Sequence, residues 1–112
     1  MAFSATLESS GHAAKITLTG ELDASSAQIF KEEIEKAAIA KPKHLVLMMQ
    51  KLDYMASAGL RVLIFAKQKM GVDVDIYVVG AQELIIDTLE KTGFIQGVIA
   101  VDDYDSIGLE SA

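Results

Sequence analysis

Ser57 offers this sequence its clearest opening for chemistry. It follows Asp53-Tyr54-Met55-Ala56 and precedes Ala58-Gly59-Leu60, where a loop is expected to give way to a helix. A serine at a helix start has two uses. Its hydroxyl can accept from a backbone N–H as a cap, with Ala58-Gly59 a small-residue turn that allows close packing. It can also carry a phosphoryl group, whose ~1.5 to 2 negative charges would face the positive end of the helix dipole and so be tolerated by the fold. A partner packed against an uncharged Ser57 would then have to desolvate a dianion, and that cost would release or redirect it. Spacing alone does not choose between the cap and the switch.

The other reactive side chains point away from catalysis. His12 falls in an expected turn and His44 at a strand entrance beside Lys43, neither with a carboxylate or second histidine at a ligating spacing. Both read as ordinary surface histidines. Asp102, Asp103 and Asp105 cluster near the C-terminus without the glycine and closing glutamate of a calcium loop. They read as a solvated turn capping a last helix. The glycines are isolated, so no Walker A loop and no G-x-G-x-x-G exists, and with no cysteine there is no thiolate nucleophile or ligand. No catalytic residue, metal site or cofactor is expected, which favours a binding module over an enzyme.

Charge narrows the partners. Sixteen acidic against ten basic side chains give a net charge of -6, and the lysines are scattered from Lys15 to Lys91. A nucleic-acid surface would need a basic footprint, so none is expected. Residues 1–15 show no basic segment followed by an apolar run, and the apolar stretch Leu60 to Ala66 contains Arg61 and falls far short of the ~20 residues of a membrane helix. The expectation is a soluble, cytoplasmic protein with no membrane partner.

The elements that must position Ser57 follow from periodicity. With 51% hydrophobic residues, 8 glycines and 1 proline, the 112 residues are expected to form one domain, 1–112. Phe3 to Leu7, a turn at Ser9-Ser10-Gly11, and Ala14, Ile16 and Leu18 alternating with Lys15, Thr17 and Thr19 predict a hairpin, its second strand ended by Gly20. Ser25 and Gln28 suggest a capping box for a helix whose apolar face is Phe30, Ile34, Ala37 and Ala38. Pro42 stops that helix, and Leu45-Val46-Leu47 is a short buried strand. A loop over Asp53 to Gly59 opens a second helix from about Ser57 to Met70, stopped at Gly71. Val74, Ile76, Val78 and Val79 supply a strand. A third helix begins near Ala81 with Leu84, Ile85, Thr88 and Leu89 on one side, followed by a last short strand over Ile95 to Val101 and a possible terminal helix over Tyr104 to Leu109. Strands alternating with helices predict an α/β fold. Its mixed, mostly parallel sheet carries an N-terminal antiparallel hairpin, with the helices mainly on one face.

Three stretches in register resemble a known family. Leu18-Thr19-Gly20-Glu21-Leu22-Asp23, Leu45-Val46-Leu47 and Ser57-Ala58-Gly59-Leu60 are similar to the STAS family of anti-sigma-factor antagonists, and Lys91-Thr92-Gly93-Phe94 looks like the family's stretch before its final strand. The resemblance runs the length of the chain and implies a STAS-like single domain with a regulatory role. Unphosphorylated, such a module binds a serine kinase of the histidine-kinase-like ATPase fold that acts as anti-sigma factor. Phosphorylation of the serine matching Ser57 breaks the complex, and a metal-dependent serine phosphatase restores it. The partner-binding residues implied are Asp23, Tyr54, Met55, Ala56, Ser57, Ala58, Gly59 and Arg61.

Two positions depart from the family. Ala56 and Met48 stand where many members carry aspartates. At an effective dielectric of ~20, each charge ~6 Å away would contribute about 3 kcal/mol, so the partner's complementary charges are expected to differ. Methionine adapts to irregular apolar partners, and of Met48, Met49 and Met55 the last is the expected surface residue, with at least one of the first two in the core. The departures also motivate an alternative, a STAS module that scaffolds a complex or senses a small ligand without phosphorylation.

Overall fold

Alternation builds the sheet. The computed structural model of the chain describes residues 3–103. Its strands are β1 (Ser4–Ser10), β2 (Ala13–Leu22), β3 (His44–Met55), β4 (Asp75–Val79) and β5 (Ile99–Val101), and its helices α1 (Ala27–Ile39), α2 (Ser57–Met70) and α3 (Glu83–Lys91). The strands lie in the order β1-β2-β3-β4-β5. β1 and β2 form an antiparallel hairpin, and every later pairing is parallel. The expected mixed, mostly parallel α/β sheet is the one observed.

Register shows which face the helices cover. Ala14 pairs with Leu45 and Leu45 with Ile76, while Ile16 pairs with Leu47 and Leu47 with Val78. These side chains share one core with Phe30, Ile34 and Ala37 of α1, Val62, Leu63 and Ala66 of α2, and Ile85 and Leu89 of α3. The intervening row, Lys15, Val46, Tyr77 and Ile99, faces the other way. Val46 and Val79 are buried yet lie outside that core. The helices that link these sequential parallel strands share that one core and so lie on one face of the sheet, as expected. Lys31 of α1 lies 4.9 Å over the Phe65 ring of α2, a cation–π contact between the two helices. No helix among the described residues is long and apolar enough to cross a membrane.

Several boundaries differ from expectation, each for a local reason. β2 does not end at Gly20 but continues to Leu22, because Gly20, at φ +87°, sits at a register irregularity that the strand absorbs. β3 is a strand of 12 residues and not a short apolar run, since parallel pairing to β2 carries it through polar Gln50, Lys51 and Asp53. The Ser25–Gln28 capping box is not formed. α1 begins at Ala27, and Asp23 holds the turn before it. α3 starts at Glu83 with Gln82 as its N-cap, Val74 precedes β4, and the last strand is reduced to three residues after a 3-10 turn over Phe94–Gly97. The expected helix over 104–109 lies outside the described residues, as does Asp105 of the aspartate cluster.

Candidate functional site

The site forms at the carboxyl end of the central strands, where β3 passes into α2. Ala56 is the N-cap of α2 in extended conformation, φ −82° and ψ 172°, and Ser57 is the first helical residue. Its hydroxyl is therefore one position too late to cap, and among the described residues no side-chain hydrogen bond caps this helix. Ser57 is exposed, and the first turn carries no acidic residue, so the positive end of the helix dipole meets no carboxylate of that turn. The side chain predicted either to cap or to be modified is left facing solvent.

Backbone and packing hold this helix start in place. The Ala56 N–H donates to the Leu22 carbonyl at 2.8 Å, joining the end of β2 to the N-cap, and Gly59 and Leu60 donate to the Ala56 carbonyl at 2.9 and 3.2 Å. Gly59 is buried so closely that a β-carbon there would lie 2.7 Å from Leu22 Cγ and 2.8 Å from Met55 Cγ. Glycine is required here for close approach, as the Ala58-Gly59 pair suggested.

Asp23 organises the neighbouring loop. Its Oδ1 accepts from the Ser25 hydroxyl at 2.7 Å, the Ser25 N–H at 3.0 Å and the Ser26 N–H at 3.2 Å. In return the Asp23 N–H donates to Ser26 Oγ at 2.9 Å, and that hydroxyl donates to the Glu21 carbonyl at 3.0 Å. The Ser25 hydroxyl above all, then the Ser25 amide and the Ser26 donors, hold the Asp23 carboxyl below its ordinary value against an opposing desolvation. Because the folded pKa is depressed, the stabilisation is present above the ordinary value of 3.8 and is lost as pH falls through the lower folded value. Asp23→Ala is expected to lower the melting temperature at about pH 6, and the gap from the parent to shrink as the pH is taken below the ordinary aspartate range. A gap that stayed constant through acid would show that the carboxylate's charge is not what the loop uses.

The remaining expected contact residues divide by exposure. Tyr54 is 53% exposed, Arg61 is exposed one turn beyond Ser57, and Ala56 and Ala58 are half-buried. Met55 corrects an expectation, since it is only 6% exposed and packs in the core. The cause is a bulge. Leu52 pairs with Gly20 and Tyr54 with Glu21, so β3 spends two residues where β2 spends one, leaving both Asp53 and Tyr54 outward and turning Met55 inward. Met49 is fully buried and Met48 half-buried on the opposite side, in line with the expected division of that pair.

Sequence reasoning missed the apolar rim of the site. Ile64, 42% exposed, extends the Ser57–Arg61 face of α2. Leu84, assigned above to the apolar side of α3, is 77% exposed, because Ile85 and Leu89 take the buried core-facing positions, with Ile86 packed partly against the core. The i, i+4 spacing of Ile85 and Leu89, set one residue past that of Leu84 and Thr88, was the available signal.

A model of the STAS domain family matches residues 4–107. The chain belongs to the STAS domain family. Among curated proteins no sequence matches it. Solved structures share the STAS fold at low identity. An anti-sigma factor antagonist from Mycobacterium paratuberculosis superposes with a TM-score of 0.85 at 19% identity, over 94% of this chain and 90% of that one. The anti-sigma factor antagonist SpoIIAA in its unphosphorylated form gives 0.76 at 15% identity over 96% of both chains. The Bacillus cell fate determinant SpoIIAA in its phosphorylated form gives 0.74 at 16% identity, over 94% of this chain and 97% of that one. This STAS domain therefore presents its serine on the α2 start of a fold shared with proteins described as anti-sigma factor antagonists.

Proposed function

We propose that the chain is a regulatory binding module of the anti-sigma-factor antagonist kind, not an enzyme. It binds a serine kinase of the histidine-kinase-like ATPase fold, acting as anti-sigma factor, through the loop before α2 and the exposed face of that helix. Phosphorylation of Ser57 releases the kinase, and a metal-dependent serine phosphatase resets the module. The observation that carries this reading is the exposed Ser57 at the first position of α2, with its hydroxyl not spent on capping. Two further facts support it. Arg61 and Tyr54 flank the serine as exposed side chains suited to a protein contact, and one structural neighbour is described in both phosphorylated and unphosphorylated forms.

The absence of carboxylates at Ala56 and Met48 keeps the phosphorylation-independent scaffold or ligand sensor as the second reading. Intact-mass and peptide mass spectrometry on protein purified from its own cells separates the two. A phosphoserine at position 57 is expected, together with loss of that mass shift and sustained kinase capture in Ser57→Ala. A chain without phosphate under every growth condition, and with unchanged partner capture in Ser57→Ala and Ser57→Asp alike, would leave the scaffold reading in its place.

A further inference from the structure

Beside the Ser57 loop, the outward end of β3 and α3 enclose a crevice of about 200 Å³ lined by Asp53, Tyr54, Met55, Leu84, Ile85 and Thr88. It is too small for a typical ligand site of ~300 Å³ or more. Its size suits one buried side chain. The walls are held firmly: the Gln82 side-chain amide at the α3 N-cap donates to the Leu52 carbonyl at 3.1 Å, and Ile85 is anchored in the core below. Its lip is apolar and open, with Leu84 77% and Tyr54 53% exposed. Asp53, an exposed carboxylate, is the acidic residue of that lining, and Glu83 and Asp87 adjoin Leu84 and Thr88 along α3.

We propose that this crevice receives one aliphatic or aromatic side chain of the partner kinase, flanked on the kinase by lysine or arginine. The proposal rests on the reading of Ser57 as a kinase-binding site and adds what the kinase must offer there. Two observations select that occupant. The crevice is continuous with the Ser57 loop through Tyr54 and Met55, so a protein seated on Ser57 and Tyr54 also reaches Leu84. The exposed Asp53 carboxylate in its lining favours a basic neighbour on the partner, and it supplies negative charge beside the Ser57 loop where Ala56 and Met48 supply none. An apolar anchor entering a desolvated socket within a charged rim is the arrangement that concentrates binding energy at protein interfaces.

The test uses the full chain in its own cells, with the photo-crosslinking residue p-benzoylphenylalanine replacing Leu84 in one strain and Arg61 in another. Both positions are expected to capture the same ATPase, and the peptide joined to position 84 to carry a large apolar residue beside lysine or arginine. Leu84→Asp should then weaken binding of that purified kinase about 20-fold, with Leu84→Met close to the parent. Capture of the kinase from position 61 alone, with position 84 joined to a second copy, to residues 104–112 of its own chain or to nothing, overturns the crevice proposal and leaves the Ser57 reading standing. Capture of no ATPase from either position removes both.

Discussion

Gly59→Val is expected to destabilise the fold by about 2–3 kcal/mol and to lower the melting temperature by roughly 10–20 °C. Even a single β-carbon at this position would meet Leu22 Cδ2 and Cγ at 2.7 Å and Met55 Cγ at 2.8 Å. Neither neighbour can step aside freely, because Leu22 is fully buried and Met55 nearly so. Valine adds two methyl groups to that collision, so α2 must lift from the β2–β3 sheet or the core beneath it must repack. Gly59→Ala should cost less, since alanine recovers up to about 1 kcal/mol of helix propensity against a smaller overlap. Thermal unfolding followed by circular dichroism measures both variants. Melting of the valine variant within about 2 °C of the parent would mean that the Leu22–Met55 contact is loose.

Ser57→Asp is expected to leave folding almost untouched and to weaken kinase binding about 100-fold, equivalent to about 2.7 kcal/mol. The asymmetry follows from where the serine stands. Within the domain, a negative charge at the first residue of α2 meets the positive end of the helix and solvent, worth at most ~1 kcal/mol in its favour. Against a partner that has excluded water, the same charge must be desolvated without a matching cation. Titration of the purified kinase with parent, Ser57→Asp and Ser57→Ala measures the effect, with the alanine variant expected to bind like the parent. Equal affinity for all three would locate the kinase contact away from the α2 start.

Much of this arrangement is written in short-range pattern. Alternation at Ala14, Ile16 and Leu18 marks an inward row in β2, and the 3.6-residue stripe of Phe30, Ile34 and Ala37 marks the buried side of α1. The limits of α2 were readable because its start and stop are local, with small residues at Ala58-Gly59 and Gly71 after the last turn. The first turn of α1 was misread for an instructive reason. Ser25 and Gln28 have the spacing of a capping box, but Asp23 offers a stronger acceptor to the amides of Ser25 and Ser26 and draws the loop into a turn of its own.

The Ser57 site divides along the same line. Local sequence by itself determined that a serine would open a helix behind a small-residue turn, because capping, helix propensity and steric fit act within a few residues of each other. Which side chains surround that serine was decided only in the folded sheet. Strict alternation from Leu52 would have turned Tyr54 inward and Met55 outward, yet the bulge opposite Gly20 and Glu21 reverses them. That bulge depends on pairing between strands about thirty residues apart in sequence, where no local periodicity can record it. The same non-local packing spends Ile85 and Leu89 on the core and leaves Leu84 exposed beside Tyr54. Sequence placed the serine, and the register of β3 against β2, with α3 closing over it, supplied the face presented around it.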